Sequence, residues 1–500
     1  MTLLSLLTER HPASIVAIEG ATRISTAGML RQVRALTTDL REAGIGRGDC
    51  VAVWLPNWPE ALTWQFAVAS LGAHVIGINT RYNVDEVRHV LDRARPKLVA
   101  IAHDFHGLDL IGRLRRALGE VVPAVAVVRG TDASGYDVGA GAWIPSDRDG
   151  SLTDSENDLA VAFTTSGSTG QPKLAAHLGS AVLEHARADA AAIGIRPGDV
   201  VLCALPLSGV FGFNTAMAAI AGGGSCLLEP VFDAPATLAD MARARVTHVV
   251  GGDDLVGRLA DAWQGEDLAS WRWLGMADFL GRTGEIAEWA GREFGTSTTG
   301  VYGSSEVFAL TALWPPEEPE SRRWRGGGRL VSPRIEARVI DGELQMRGPN
   351  VVDAYLGDPG AAARSFTDDG WFRTGDLVEI DDDGGIVYVC RMGDVLRLRG
   401  FLVDPAEIEH RLAQHEAVVS AKVVGVRGDE GEEAVGFVVT DRPVDGAALR
   451  AWCAETLAKF KVPTSIQVID EMPTTSGTNG MKIKAATLRE WALRERKAAR

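Results

Sequence analysis

Apolar residues fall in short runs, each broken by glycine, proline or a charged stretch. Met29, Val33, Leu36 and Leu40 recur at the spacing of one helix face, and Gly44 follows as a C-terminal stop. Val51 to Leu55 is a continuous apolar run that reads as a buried strand, and Pro59 opens a helix that closes at Gly72. Leu98 to Ala102, Ala124 to Val128, Val200 to Leu205, Ser225 to Leu228 and His248 to Val250 are further short strands. This alternation predicts α/β layers with largely parallel sheets. Gly130 to Asn157, rich in Gly, Asp and Ser, reads as an irregular surface connection.

Beyond Arg325 the pattern changes. Asp341-Gly342 separates Glu336–Ile340 from Glu343–Arg347, and Asp383-Gly384-Gly385 separates Leu377–Ile380 from Ile386–Val389. Both are hairpin signals, and they predict a small antiparallel, barrel-like layer. After Arg391 the pattern predicts a helix over Pro405 to Leu412, strands at Ala421–Val426 and Ala434–Thr440, and a helix over Gly446 to Phe460. The expected fold class is α/β. A large N-terminal domain, residues 1–391, combines α/β sheet layers with the antiparallel layer, and a small mobile α+β C-terminal domain, residues 392–500, follows it.

Composition narrows the options. A chain of 500 residues exceeds one core, and 46% hydrophobic with 23% charged residues is that of a folded protein. The net charge of −15 argues against a nucleic-acid partner, which needs a basic surface. Cys50, Cys203, Cys226, Cys390 and Cys453 are dispersed, without a Cys-x-x-Cys pair, as expected for reduced thiols in a cytoplasmic protein. The start, Met1 to Pro12, lacks the basic region of a signal peptide. The longest apolar region, Val210 to Gly224, is interrupted by Asn214 and three successive glycines, so no membrane span is expected. Oligomeric state, a homodimer included, stays open.

Five segments carry candidate chemistry. Thr164-Thr165-Ser166-Gly167-Ser168-Thr169-Gly170-Gln171-Pro172-Lys173 gathers five hydroxyls, two glycines and a lysine after an apolar run, a composition suited to wrapping phosphate oxygens. Its spacing is not that of a Walker loop, and the plainer reading is a Ser/Gly surface loop. Tyr302-Gly303-Ser304-Ser305-Glu306 offers a carboxylate for Mg²⁺ and a ring for a base, against a plain tight turn. Trp371-Phe372-Arg373-Thr374-Gly375-Asp376 offers an acceptor for two ribose hydroxyls, against a simple Asx turn. Arg391 to Gly400, then Pro405-Ala406-Glu407-Ile408-Glu409, stands at the junction with the tail, where Gly393 suits a hinge. Gly480-Met481-Lys482-Ile483 offers a lysine in a glycine-flanked turn, against a solvated basic tail.

Taken together and in this order, these segments resemble the adenylate-forming, AMP-binding superfamily over nearly the whole chain. That family includes acyl- and aryl-CoA synthetases, peptide-synthetase adenylation domains and beetle luciferases. The resemblance implies an acid–CoA ligase that uses ATP, Mg²⁺ and coenzyme A on a carboxylic acid and releases AMP. It implies that Thr165, Ser166, Gly167, Ser168, Thr169, Gly170 and Lys173 hold the β- and γ-phosphates. Glu306 would hold Mg²⁺, Ser305 the α-phosphate, Tyr302 the adenine, Asp376 the ribose and Arg391 the ribose-phosphate. Lys482 would bridge the attacking carboxylate and the α-phosphate, with Gly393 as hinge, and the thiol half would use the region of Arg399 and Gly400.

The sequence departs from the family pattern in places. Ser208-Gly209 stands where many members carry an aromatic-histidine pair, which widens the expected acid pocket and favours an alicyclic, polycyclic or aromatic acid, unless a neighbour refills the space. Gly209, Phe211, Gly275, Phe279 and Gly303 are the candidate pocket residues. Asp253-Asp254 adds negative charge near the expected triphosphate, which is unfavourable by about 1 kcal/mol per pair in water. Three alternatives remain at this stage: an enzyme that performs only the thiol step on supplied acyl-adenylate, a loader of a carrier-protein thiol, and a non-catalytic nucleotide-binding protein.

Overall fold

A computed structural model describes residues 3–118, 123–130, 141–143, 152, 158–165, 172–279, 281–392, 396–398, 401–403, 405–428, 431–457, 459, 461–477 and 480–498. Helix Thr26–Glu42 starts where the Ser25 hydroxyl accepts the Gly28 amide, and it buries Met29, Val33, Leu36 and Leu40. Helix Pro59–Ala69 carries its proline in the first turn, where the missing N–H is no loss.

Two large sheets enclose the main apolar core. One has eight strands, with Ala354–Tyr355, Leu174–Leu178, Leu159–Thr164, His74–Gly77, Cys50–Trp54, Leu98–Ala102, Ala124–Val128 and Gly141–Trp143 in that order. The last of these corrects the reading of Gly130 to Asn157 as wholly irregular. Three residues too few to show a period still pair in parallel with Ala124–Val128 at the sheet edge. The other sheet is parallel through Ser225–Leu228, Val200–Cys203, His248–Gly252, Trp273–Ala277 and Ser297–Tyr302. It then turns antiparallel through Ala312–Leu313 and Gly327–Leu330 into strands Ile386–Arg391, Phe372–Ile380, Glu343–Arg347 and Glu336–Ile340. The antiparallel layer keeps its own apolar cluster, which includes Tyr302, Leu344, Met346, Tyr355 and Phe372. Its first hairpin turns on Asp341 and Gly342, both at positive φ (52° and 81°), the pairing a tight hairpin demands.

The small C-terminal domain has a separate sheet of Leu396–Leu398, Phe401–Val403, Val418–Gly428, Gly431–Thr440 and Ser465–Val468. Helix Pro405–Ala413 matches the pattern. Helix Gly446–Ala454 ends earlier than expected, because the chain must turn back into Ser465–Val468, which pairs in parallel with Gly431–Thr440. Hairpin strands Thr474–Gly477 and Gly480–Ile483 follow, and the second of them touches helix Asp253–Ala262 of the large domain.

Gly327 and Gly328 mark a seam within the antiparallel part, where strand Gly327–Leu330 joins Ala312–Leu313 to Ile386–Arg391. Their φ values are 132° and 133°, and a Cβ on them would strike the Ile386 carbonyl oxygen and the Leu313 backbone respectively. Gly328→Ala is expected to lower the melting temperature by about 2–3 °C, the scale of ~2 kcal/mol in a domain this size. A melting temperature within a degree of wild type by calorimetry would show that the seam tolerates a side chain.

Candidate functional site

The site forms where parallel strand Ser297–Tyr302 ends against the antiparallel layer, the carboxyl edge at which open α/β sheets bind ligands. Its centre is Asp376, almost fully buried on strand Phe372–Ile380. The Tyr302 hydroxyl donates to Asp376 Oδ2 at 2.6 Å, and Arg391 Nε lies 3.1 Å from Oδ1. Arg391 also donates to the Thr374 carbonyl at 2.6 Å. The Asp376 amide donates to the Thr374 hydroxyl at 3.1 Å, and that hydroxyl donates to the Leu344 carbonyl at 2.6 Å. Burial, with the Asp376 charge behind it, pushes the Tyr302 phenol well above its ordinary value. Burial works against the Arg391 charge, and Asp376 together with Tyr302, Tyr388 and Glu306 more than restores it. The second, third and fourth segments singled out in the sequence therefore meet directly.

Glu306 joins them through charge. Burial raises its carboxyl, while Arg391 and, more weakly, Lys173 pull it back down. The Glu306 carbonyl accepts the Val352 amide at 2.7 Å. Lys173 Nζ reaches the Ser365 hydroxyl at 3.4 Å and sits 4.8 Å over the Tyr355 ring. The first segment leaves strand Leu159–Thr164 at Thr165, whose amide donates to the Lys173 carbonyl and closes the base of the loop. Ser166, Gly167, Ser168, Thr169 and Gly170 lie outside the described residues, as do Gly393, Arg399 and Gly400. Lys482 falls on strand Gly480–Ile483, paired with Thr475, and its side chain is likewise outside them.

The candidate pocket residues are distributed around this edge. Gly209 precedes helix Val210–Ala221, which contains the buried Phe211. Gly275 lies in strand Trp273–Ala277, where a side chain would run into the Trp273 ring. Gly303 approaches the Ala309 and Leu310 backbone so closely that any Cβ would collide. Phe279 packs on Gly252, and its amide donates to Asp253. The buried Asp253 also accepts the Arg282 amide, so one of the two unexpected acids caps a loop. Beside Ser208 lies a narrow apolar cleft lined by Leu62, Gly77, Val161, Phe163 and Phe213.

Sequence reading missed Tyr355 and Ser365, which hold Lys173, and it missed a buried polar group beneath Glu306. His177 Nε2 is 2.8 Å from the Ser305 carbonyl, and His185 Nε2 is 2.9 Å from the Ala309 carbonyl. A carbonyl only accepts, so both rings carry their proton on Nε2. Asp189 Oδ2 lies 3.3 Å from that same Nε2 of His185 and accepts from Asn214 at 2.6 Å. Burial pushes the Asp189 carboxyl well up and each imidazole down to about 4. The available signal was the i, i+4 pair His185 and Asp189 on the apolar face of an alanine-rich helix, Gly179–Ile193.

Could these residues hold a magnesium nucleotide? Among the described residues no group of three or more His, Cys, Asp and Glu is arranged to bind a metal by itself. Mg²⁺ in nucleotide sites takes one or two carboxylates and completes its shell with phosphate oxygens and water. Glu306 is such a single carboxylate, and the buried Thr165 hydroxyl has no hydrogen-bond partner among the described residues. The donor set fits.

Comparison with known proteins agrees with this geometry. A family model described as AMP-binding enzyme matches residues 7–356, and one described as AMP-binding enzyme C-terminal domain matches residues 407–477. A methyl-dioxo-octahydroindenyl-propanoyl:CoA ligase of Mycobacterium tuberculosis is 32% identical over 480 residues, 90% of this chain and 92% of the relative. A feruloyl-CoA synthase of Amycolatopsis is 28% identical over 494 residues, 94% of this chain and 95% of the relative. The crystal structure of ATP-bound MatB from Rhodopseudomonas palustris superposes with a TM-score of 0.86 at 26% identity, covering 98% of this chain and 99% of that one.

The neutral histidines set a pH dependence of stability. An unfolded imidazole titrates near 6.5, so below that pH the unfolded chain binds protons that the folded one refuses. The contribution of these two histidines is full above about pH 6.5 and falls as pH drops toward 4. In His177→Gln the fall should be shallower by up to ~1.4 kcal/mol per pH unit, read from melting temperatures across that window. An unchanged slope would mean that His177 protonates freely in the folded protein.

Proposed function

This chain belongs to the AMP-binding enzyme family, and we propose that it is an AMP-forming acid–CoA ligase for a bulky, hydrophobic carboxylic acid, alicyclic, polycyclic or aromatic. The observation that carries this reading is the convergence of Tyr302, Asp376, Arg391, Glu306 and Lys173 from distant segments on one sheet edge. Two relatives named for fused-ring and aromatic acids support the choice of acid.

In the first half-reaction an oxygen of the acid attacks the α-phosphorus of ATP, and the bond to the bridging oxygen breaks, releasing pyrophosphate. In the second the sulfur of CoA attacks the acyl carbon, and AMP leaves with the carboxyl oxygen. Such transfers depend on positioning and charge neutralisation more than on covalent help. Asp376 accepts from the ribose hydroxyls, held in place by Tyr302 and Arg391. The Tyr302 hydroxyl is committed to Asp376, which leaves its ring face for the adenine. The loop from Thr165 to Lys173 holds the β- and γ-phosphates, Ser305 the α-phosphate, and Lys482 bridges it to the entering carboxylate. Glu306, with the Thr165 hydroxyl near the phosphates, holds Mg²⁺, which when bound neutralises charge on the phosphate oxygens. We place the domain boundary at 391/392, with Gly393 as the hinge on which the small domain exchanges Lys482 for the region of Arg399 and Gly400.

A panel of fused-ring, aromatic and straight-chain acids, assayed with ATP, Mg²⁺ and CoA, should release pyrophosphate best with the first two classes and yield AMP and acyl-CoA. Conversion of synthetic acyl-adenylates with no acid-dependent pyrophosphate release would instead make this an enzyme of the thiol step alone. Lys482→Ala should lower acid-dependent pyrophosphate release by roughly 10²–10³. It should still convert supplied acyl-adenylate to thioester. Normal adenylation by that variant would remove Lys482 from the first half-reaction.

A further inference from the structure

The segment that follows Glu306 is strained. Phe308, Ala309 and Leu310 adopt φ of 65°, 53° and 36° in succession, a left-handed path that costs a residue with a side chain about 1–2 kcal/mol each. Such a path persists only where its surroundings over-determine it. The Ala309 amide donates to the Ser304 carbonyl at 2.8 Å, Asn350 donates to the Val307 carbonyl at 2.9 Å, and the Thr311 hydroxyl donates to Val307 and Ala309. The Val352 amide donates to the Glu306 carbonyl, and two imidazoles from the neighbouring strand and helix add further ties. The Phe308 ring stands edge-on to both, at 4.8 Å from His177 and 5.6 Å from His185.

We propose that His177 and His185 are positioning residues for Glu306: each donates its Nε2–H to a carbonyl of the Ser305–Leu310 segment and so fixes the turn that aims the carboxylate. The proposal rests on the reading of Glu306 as the magnesium carboxylate. The placement of His177 gives it a particular weight. It lies on strand Leu174–Leu178, immediately after Lys173, which closes the phosphate loop. The neighbouring residues Ala175 and Ala176 pair with Tyr355 and Ala354, and Tyr355 carries the Lys173 ammonium on its ring. One strand thus fixes Lys173 at its start and the Glu306 turn four residues later. His185 Nε2 also lies 3.3 Å from Asp189 Oδ2, and that oxygen accepts from Asn214. Neither ring needs to touch substrate.

The test compares substitutions at His177 in the full-length enzyme. Glutamine places its amide nitrogen where Nε2 stood and keeps the donor; methionine fills the space without one. Two quantities are read: the Mg²⁺ concentration for half-maximal pyrophosphate release, and amide hydrogen exchange over 305–310 without ligands. His177→Met should raise the Mg²⁺ requirement about tenfold or more, leave the acid KM unchanged and speed exchange, as loss of a group that orients a metal ligand does. His177→Gln should stay within about threefold of wild type. A folded His177→Met with wild-type Mg²⁺ dependence and exchange, or a glutamine variant as impaired as methionine, overturns the proposal. If methionine prevents folding, His177→Asn, polar but too short to reach, takes its place, and asparagine behaving like glutamine overturns it equally. Glu306→Gln separates the two readings: if it leaves Mg²⁺ dependence untouched, the assignment of Glu306 fails, while the exchange measurement still judges the histidines.

Discussion

The buried Asp376 carboxylate is the contact on which the rest of the site depends. A carboxylate removed from water is costly unless it is paired and hydrogen-bonded. Here the pairing comes from two other chain segments: a phenol at the end of a parallel strand and a guanidinium at the end of an antiparallel one. The cost is offset only when both sheet layers meet at this edge, so the contact requires the crevice to close in one way. A charge-assisted bond of this kind contributes about 1.5–3 kcal/mol, and removing one partner costs more because the others are left unpaired.

The backbone meets the same requirement by different means. Where strand Gly327–Leu330 joins its two antiparallel neighbours, Gly327 and Gly328 let strands approach where no side chain fits. Beyond Glu306 no glycine is available, and the left-handed turn is instead held by side-chain donors from elsewhere in the fold. Those donors are histidines kept neutral by burial, which lets them give a hydrogen bond without placing a buried charge against the turn.

Local arrangement, not net charge, equips this protein for an anionic substrate. The chain carries a formal charge of −15, yet at the sheet edge Arg391 pairs with Asp376, and Lys173 and Arg391 both act on the Glu306 carboxylate. Asp253, which in sequence seemed an electrostatic burden, spends its charge on two backbone amides and shapes the turn at Phe279.

Much of the fold was legible in the chain itself. The helix face of Met29 to Leu40, the buried strands and the Asp341-Gly342 hairpin follow from period, propensity and turn chemistry, which are local and therefore written in neighbouring residues. The motifs bearing Lys173, Tyr302, Glu306, Asp376, Arg391 and Lys482 were legible because their order and residue types resemble one family. What sequence could not supply was partnership across distance. The strand Gly141–Trp143 was too short to carry a period, and its place comes from the sheet edge that receives it. The Tyr302–Asp376–Arg391 junction, the bracing of Lys173 by Tyr355 and the histidines beneath Glu306 join residues many tens of positions apart. Only the closed tertiary structure decides these, because a buried polar atom finds its partner wherever folding happens to bring one within hydrogen-bond reach.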